Sequence, residues 1–359
     1  MTVGVVRSTL DSVDSSMAEL MRLIGYEPRR EELFIKPNVP DSGPPGQGLY
    51  TDPAVVDAFL KLFPGRGTVI GEGCIVGRDA GIALERNGYA TVAARHNAAL
   101  VNLDQAERYD VAWPYGKLEL PVYCRTHEYI NIAKMKTHIQ TGVTLGMKNQ
   151  KGLLGPAEKR RFHRMGLNDC IRALAQVVQP ALTIVDGIVA LEGDGPWRYG
   201  QPLDMNLLVA GTNLTEVDNV CRELMGFAPE HAPHIPILPD VGTVGQRIDE
   251  VRHSFEFDFK GYFVYKNIYE HINDSCSGCN WVLYHAFKAL KRSAWGRLRL
   301  QYHGVWRRLD VLMGHARVLP SGHGRVICLG DCARKFAEER GLPIARGCPP
   351  GVEDVLGVL

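Results

Sequence analysis

Nine cysteines punctuate this 359-residue chain, and two of them are set as Cys276-Ser-Gly-Cys279. Two thiolates three positions apart can bind one metal centre from a single turn of chain. Downstream stand Cys328, Cys332 and Cys348, the last followed by Pro349-Pro350. One CxxC pair, dispersed partners and a Cys-Pro ending resemble iron–sulfur ligation, in which four thiolates hold a cubane. For the third ligand Cys332 is preferred. Cys328 sits in the strand-like Arg325-Val-Ile-Cys-Leu329, where a buried structural thiol is expected. Cys332 follows Gly330-Asp331, where a loop can turn towards a cluster. The expected ligand set is Cys276, Cys279, Cys332 and Cys348, holding one [4Fe-4S] cluster. Zinc is the lesser alternative, because structural zinc usually adds a second CxxC or a His pair. A thioredoxin-type dithiol would leave the other cysteines unused, and plain burial of the thiols is the remaining reading. Cys74, Cys124, Cys170 and Cys221 read as core residues.

A second stretch could bind an anion. Asn131-Ile-Ala-Lys-Met-Lys-Thr-His138 is followed by Thr141-Gly-Val-Thr-Leu-Gly-Met-Lys-Asn-Gln-Lys-Gly152. As a strand it lines up Lys134, Lys136 and His138 with period two, on a face that should meet solvent or an anion. Lys36, Asn38, Thr137, Thr144, Lys148 and Asn149 complete the expected binding set, with neutral donors beside the cations. The competing reading is an exposed basic strand edge that discourages aggregation. Glu72, Asp186 and Glu192 stand beside glycines at predicted strand ends or loops. They are the candidate acid–base groups, or ligands of a hard metal. No Walker A loop, GxSxG elbow or HExxH occurs, and Gly71-Glu-Gly-Cys-Ile-Val-Gly77 has the wrong spacing for a dinucleotide fingerprint.

The elements that must position these groups alternate. Val3–Val6, Leu33–Lys36, Thr68–Ile70, Tyr129–Ala133, Leu182–Val185 and Leu207–Val209 read as strands. Residues 11–24, 53–63, 168–178 and 216–225 carry helical spacing. Asp52-Pro53 opens one helix with an N-cap and a first-turn proline, and Gly25 ends another. This pattern predicts an α/β fold with largely parallel sheets flanked by helices, ligands gathering at the carboxyl ends of the strands. Residues 192–196 read as a turn and 227–245 as a proline-rich surface connection.

Charge is segregated. Residues 134–164 and 285–318 each hold eight Lys/Arg against one acidic residue; removing both from 41 basic and 40 acidic residues leaves 25 and 38. Two positive regions on an acidic protein point to anionic partners. Near the C-terminus, Trp281, Tyr284, Phe287, Trp295, Tyr302 and Trp306 interleave with the basic residues. They read as core packing rather than stacking platforms, so nucleic acid is not expected. No apolar run approaches the ~20 residues of a membrane span, and no export signal is visible. A cytoplasmic protein with reduced thiols and no membrane partner is expected.

Taken together, Ile35-Lys-Pro-Asn38, Thr51-Asp-Pro53, Ile70-Gly-Glu-Gly73, Asn131–His138, Gly142–Leu154, Val185-Asp-Gly-Ile188, Glu192-Gly-Asp-Gly-Pro196 and Val209-Ala-Gly-Thr-Asn213 resemble the DUF362 family of α/β proteins. The resemblance covers most of residues 30–225. It implies a two-lobed α/β domain, and many members carry iron–sulfur cysteines, some in a ferredoxin-like module with CxxCxxC. One CxxC with dispersed partners departs from that pattern and implies a single cluster. The expected organisation is a core over 1–245, with a lobe break near 115–165, and a C-terminal iron–sulfur-binding region over 246–359. The expected function is an iron–sulfur oxidoreductase or electron-transfer protein acting on a small anionic substrate, with an acidic carrier such as a ferredoxin as partner. The alternative is a non-redox enzyme on an anionic metabolite, its iron–sulfur or zinc site structural.

Overall fold

A computed structural model describes residues 2–193, 195–196, 200–257 and 267–359. Of the expected loop over 192–196, Asp194 lies outside the described residues. The chain divides into two compact units: residues 1–74, 78–158 and 167–258 form the first, and 75–77, 159–166 and 259–359 the second.

In the first unit, strands β1 (Val3–Arg7), β2 (Glu32–Pro37), β3 (Gly67–Glu72) and β4 (Ala99–Asn102) alternate with helices α1 (Val13–Ile24), α2 (Pro53–Leu62), α3 (Ala80–Arg86) and α4 (Tyr89–His96). The capping signals act as the sequence implies. Asp52 accepts from Ala54 N at 2.9 Å ahead of Pro53, and Gly25 closes α1 in the left-handed region at φ 62°. A separate hairpin, β5 (Arg108–Trp113) with β6 (Gly116–Pro121), and a short turn of helix, α5 (Tyr123–Thr126), lead to β7 (Glu128–His138). Then come β8 (Gly142–Thr144), α6 (Gly146–Asn149), α7 (Pro156–Met165, whose residues from Lys159 on belong to the second unit), α8 (Leu167–Val177), β9 (Leu182–Gly193), β10 (Gly200–Leu203), β11 (Leu207–Gly211), α9 (Leu214–Leu224), β12 (Thr243–Gly245) and α10 (Ile248–Val251).

The large sheet runs β12-β1-β11-β9-β7-β2-β3-β4, with β8 and β10 paired to β7 and β9. From β9 to β4 the pairing is parallel, and β11 runs antiparallel to both neighbours. Helices cover both faces. Met17, Leu20, Val55 and Phe59 pack with Ile130, Ile132 and Ile184 on one side. Ile171, Val217, Val220 and Leu224 pack with Ala133, Met135 and Val185 on the other. This is a mostly parallel α/β sheet enclosed by helices, as the alternating pattern implies.

The second unit has its own four-stranded parallel sheet: β13 (Ile268–His271), β14 (Leu309–Met313), β15 (Arg325–Leu329) and β16 (Ile344–Ala345). Its helices are α11 (Ser277–Lys291), α12 (Ala294–Gln301), α13 (Arg334–Arg340) and α14 (Val352–Val358). Val282, Leu283, Ala286 and Phe287 of α11 pack on Leu309, Val311, Ile327 and Leu329. Of the aromatics expected in this core, Phe287 is buried, but Trp295 and Trp306 are exposed. Their helical spacing faces away from the side on which Gly296, Leu300 and His303 are buried. No helix among the described residues is long and apolar enough to cross a membrane.

Candidate functional sites: a buried lysine cluster and a thiol-lined cavity

In the first unit the carboxyl-terminal halves of β2, β3 and β7, with the middle of β9, bring Lys36, Glu72, Lys134, Lys136 and Asp186 together, and α6 adds Lys148 and Asn149. Lys36 Nζ lies 2.9 and 3.0 Å from the two Glu72 oxygens and 3.0 Å from Asn149 Oδ1. Glu72 also accepts from Val39 N and Gly73 N, each at 2.9 Å. Lys134 Nζ is 2.7 Å from Asp186 Oδ2, and Asp186 further accepts from Asp52 N and Ile188 N. Lys134 and Asp186 face each other in the β7–β9 register. Four residues of β9, 187–190, then bulge before Lys136 meets Leu191. Glu72 and Asp186 are each held by a lysine and two backbone N–H groups, and so are fixed counter-ions. Asp186 lies within a long buried strand, not at the strand end read from Gly187.

Lys136 and Lys148 are bound differently. Lys136 Nζ donates to Leu49 O at 2.7 Å, a neutral acceptor. Burial pushes its ammonium down to about 7, with the charges of Lys134 and Lys36 adding and Glu72 opposing. Lys148 has no hydrogen-bond or ion-pair partner among the described residues. Burial, then Lys151, Lys136 and Lys36, push it well below the ordinary lysine range. All eleven residues of β7 are buried, so the exposed basic strand edge is overturned. The lysines are enclosed because neighbours distant in sequence receive them: Asp186 and the Leu49 carbonyl.

Two buried acceptors at this site lack protein partners: Asn38 Oδ1 and Thr144 Oγ1. Asn38 Nδ2 donates to Asn149 Oδ1 at 3.0 Å, and Thr144 is the register partner of Lys136. His138 is buried, its Nδ1 accepting from Gln140 N at 3.1 Å. Thr137 bonds instead to Gly193 O at 2.8 Å and Gly195 N at 3.2 Å. Glu192 accepts from Glu256 N at 2.8 Å, and no bond joins it to the lysines. Space beside Lys134 is about 10 Å³, room for about one water, under the loop that contains Gly46, Gly48 and Tyr50.

Sequence reasoning missed two groups. Asp218 of α9 is fully buried and accepts from Gly146 N and Met147 N at 2.7 and 2.8 Å, fixing the turn that carries Lys148 and Asn149. A lone carboxylate in the apolar stripe of Val217, Val220 and Leu224 was the available signal. His234 is fully buried with both ring nitrogens unpartnered. Burial, then Lys148 and Arg172, push it down to about 3. Lying between prolines in Pro233-His-Ile-Pro236, it had no periodic signal.

In the second unit Cys276 precedes the first turn of α11 and Cys279 lies within it. Cys332 sits in a 3-10 turn after β15, and Cys348 in the turn after β16. Cys276, Cys332 and Cys348 line a cavity of about 260 Å³ together with Arg160, His163, Arg164 and His315 and the acidic Asp274 and Asp331. Cys279 is buried, its thiol pushed well up by burial and then by the charges of Cys276, Cys332, Cys348 and Asp331. Gly330, at φ 84°, leaves that sulfur its place: a Cβ there would lie 2.8 Å from Cys279 Sγ. Cys328 is pushed to about 11 by burial alone, with no thiol acting on it. All nine cysteines are free.

Among the described residues, no three His, Cys, Asp or Glu side chains are gathered tightly enough to hold a metal ion. A single zinc needs its ligands about 2.3 Å from one point. Thiols bordering a cavity suit a larger thiolate-held group; the lining carries Arg160 and Arg164 but also Asp274 and Asp331.

A family model described as a domain of unknown function, DUF362, matches residues 33–223, more than half of the chain. The chain belongs to the DUF362 family. The DUF362 match runs from β2 to α9; it includes the lysine cluster and Asp218 and ends before His234 and the four clustered cysteines. A relative from Synechocystis sp. (strain ATCC 27184 / PCC 6803 / Kazusa), named thylakoid-associated protein sll1697, is 27% identical over 248 residues, covering 65% of this chain and 77% of its own.

Proposed function

We propose that the chain is an iron–sulfur redox enzyme acting on a small anionic substrate. Cys276, Cys279, Cys332 and Cys348 would hold one [4Fe-4S] cluster in the second unit, and Lys136 and Lys148 would bind the substrate in the first. The observation that carries the reading is geometric: Cys276, Cys332 and Cys348, from three separate stretches, line one cavity, and Cys279 lies buried in the first turn of α11 against Gly330, while Cys328 is absent from the lining. When bound, a cubane supplies one-electron chemistry. The four thiols would supply its anchoring, with Arg160, Arg164, Asp274 and Asp331 lining the same cavity.

The anion half rests on charge. Lys36 and Lys134 are matched by Glu72 and Asp186; Lys136 and Lys148 are matched by nothing ionised. Lysines withdrawn from water without a counter-ion, Lys136 buried and Lys148 half-buried, either shed their protons or await an anion. The closed space beside Lys134 means that the glycine-rich loop over 42–50 must shift to admit one. A cytoplasmic location keeps nine unbridged thiols reduced. An acidic carrier such as a ferredoxin suits the basic second unit.

The test is anaerobic purification followed by iron, sulfide and zinc counts and an absorbance spectrum. About four irons, matching sulfide and a band that dithionite bleaches support the proposal. A cluster that cannot be reduced reversibly would move the protein to the non-redox reading, and one zinc without iron would make the cysteines structural.

A further inference from the structure

The second unit carries an unpartnered apolar stripe set in positive charge. On α12 and the π-helical turn that continues it through Trp306, Trp295 is 84% exposed and Trp306 79%. Leu298, Tyr302 and Val305 are exposed as well. Positions 295, 298 and 302 recur at helical spacing and form one stripe, while Gly296, Leu300 and His303 are buried on the other side. Arg297 and Arg299 fall on the two flanks of that stripe by the same spacing. Lys288, Lys291, Arg292 and Arg307, from the flanking segments, are exposed as well. Between Ser275 and Leu309 the chain holds seven Lys/Arg and no Asp or Glu.

We infer that this surface is a docking site for an anionic lipid bilayer, with the helix lying in the headgroup region. Three observations favour that occupant. Tryptophan with an apolar body and a polar N–H is the side chain most at home at a membrane–water interface. The stripe includes the aliphatic Leu298 and Val305, which bury into acyl chains but offer no stacking face to a base. Arg297 and Arg299 on the two flanks, in a stretch with seven Lys/Arg and no acidic residue, complement the anionic lipid of a cytoplasmic leaflet, and arginine stems reach headgroups from a helix lying flat. The contact lies on the surface and needs no membrane-spanning helix. It does not depend on the cluster or on the lysine site.

The experiment is sedimentation of the full chain with vesicles of phosphatidylcholine alone, or mixed equally with phosphatidylglycerol, together with tryptophan emission. Anionic vesicles should bind the protein more than about tenfold better than neutral ones, with a blue shift that salt weakens. W295A/W306A should lose both binding and the shift, and R297Q/R299Q should lose the preference for anionic lipid. These side chains are exposed, so far-UV circular dichroism of the variants should match that of the parent. Equal sedimentation of parent and W295A/W306A would overturn the inference. So would a salt-sensitive gel shift of single-stranded DNA without vesicle binding, or a dimer that W295A/W306A dissolves while vesicle binding is absent.

Discussion

Lys136 has the plainest chemical consequence of any single residue. Its folded value of about 7 lies below the unfolded 10.5, so between those limits the unfolded chain binds more protons. Its contribution to stability therefore rises as pH climbs from about 7 towards 10.5, and K136M should abolish that rise. Urea unfolding of both proteins at about pH 7 and about pH 9 checks it, the parent gaining on the variant at the higher pH. Anion binding has the opposite sign, because it needs the charged form. Inorganic phosphate should raise the melting temperature of the parent more below pH ~7 than above it, and should scarcely affect K136M. Beside Lys36, a methyl group at Gly152 would fall 2.0 Å from Glu72 Oε1 and 2.7 Å from Lys36 Nζ. G152A should cost roughly 1–3 kcal/mol in chemical denaturation, since the ion pair must part or the backbone must shift. An unchanged midpoint would mean that the pair has room to yield.

Among the elements, α9 holds α6 through one carboxylate. D218A leaves two buried N–H groups without an acceptor, at about 1–3 kcal/mol each, and releases the turn that carries Lys148 and Asn149. It should lower stability by several kcal/mol and also weaken phosphate stabilisation. Loss of stability with phosphate binding intact would confine Asp218 to the fold. Elements were legible where local chemistry decides them: Asp52-Pro53 opens α2, Gly25 ends α1, and the α1 stripe of Met17 and Leu20 meets the core. They were less so where tertiary partners decide. Strand β7 reads as ending at Ala133, because three cations in alternation look exposed, but it continues buried to His138. Strand β9 reads as ending at Val185 but runs on through Gly187 to Gly193, because β7 and β11 pair on both its sides. The sheet of the second unit was hidden for a related reason: β16 is two residues long, and no periodicity marks it.

At the scale of the whole molecule, the chain combines an α/β unit that contains most of the DUF362 match with a second α/β unit carrying four clustered thiols. The cysteines were legible as a set because CxxC and Cys-Pro are local patterns. Arg160, His163 and Arg164 beside them were not, since residues 159–166 join the second unit from far upstream. The basic run over 285–318 was legible as charge, while the outward turn of Trp295 and Trp306 depended on which helix face α12 buries. The most direct measurement is the iron and sulfide content of the anaerobically purified parent, C279S and C328S. About four irons in the parent and in C328S, with loss of cluster in C279S, is the predicted result. Iron retained in C279S, or a colourless parent carrying one zinc, would contradict the assignment.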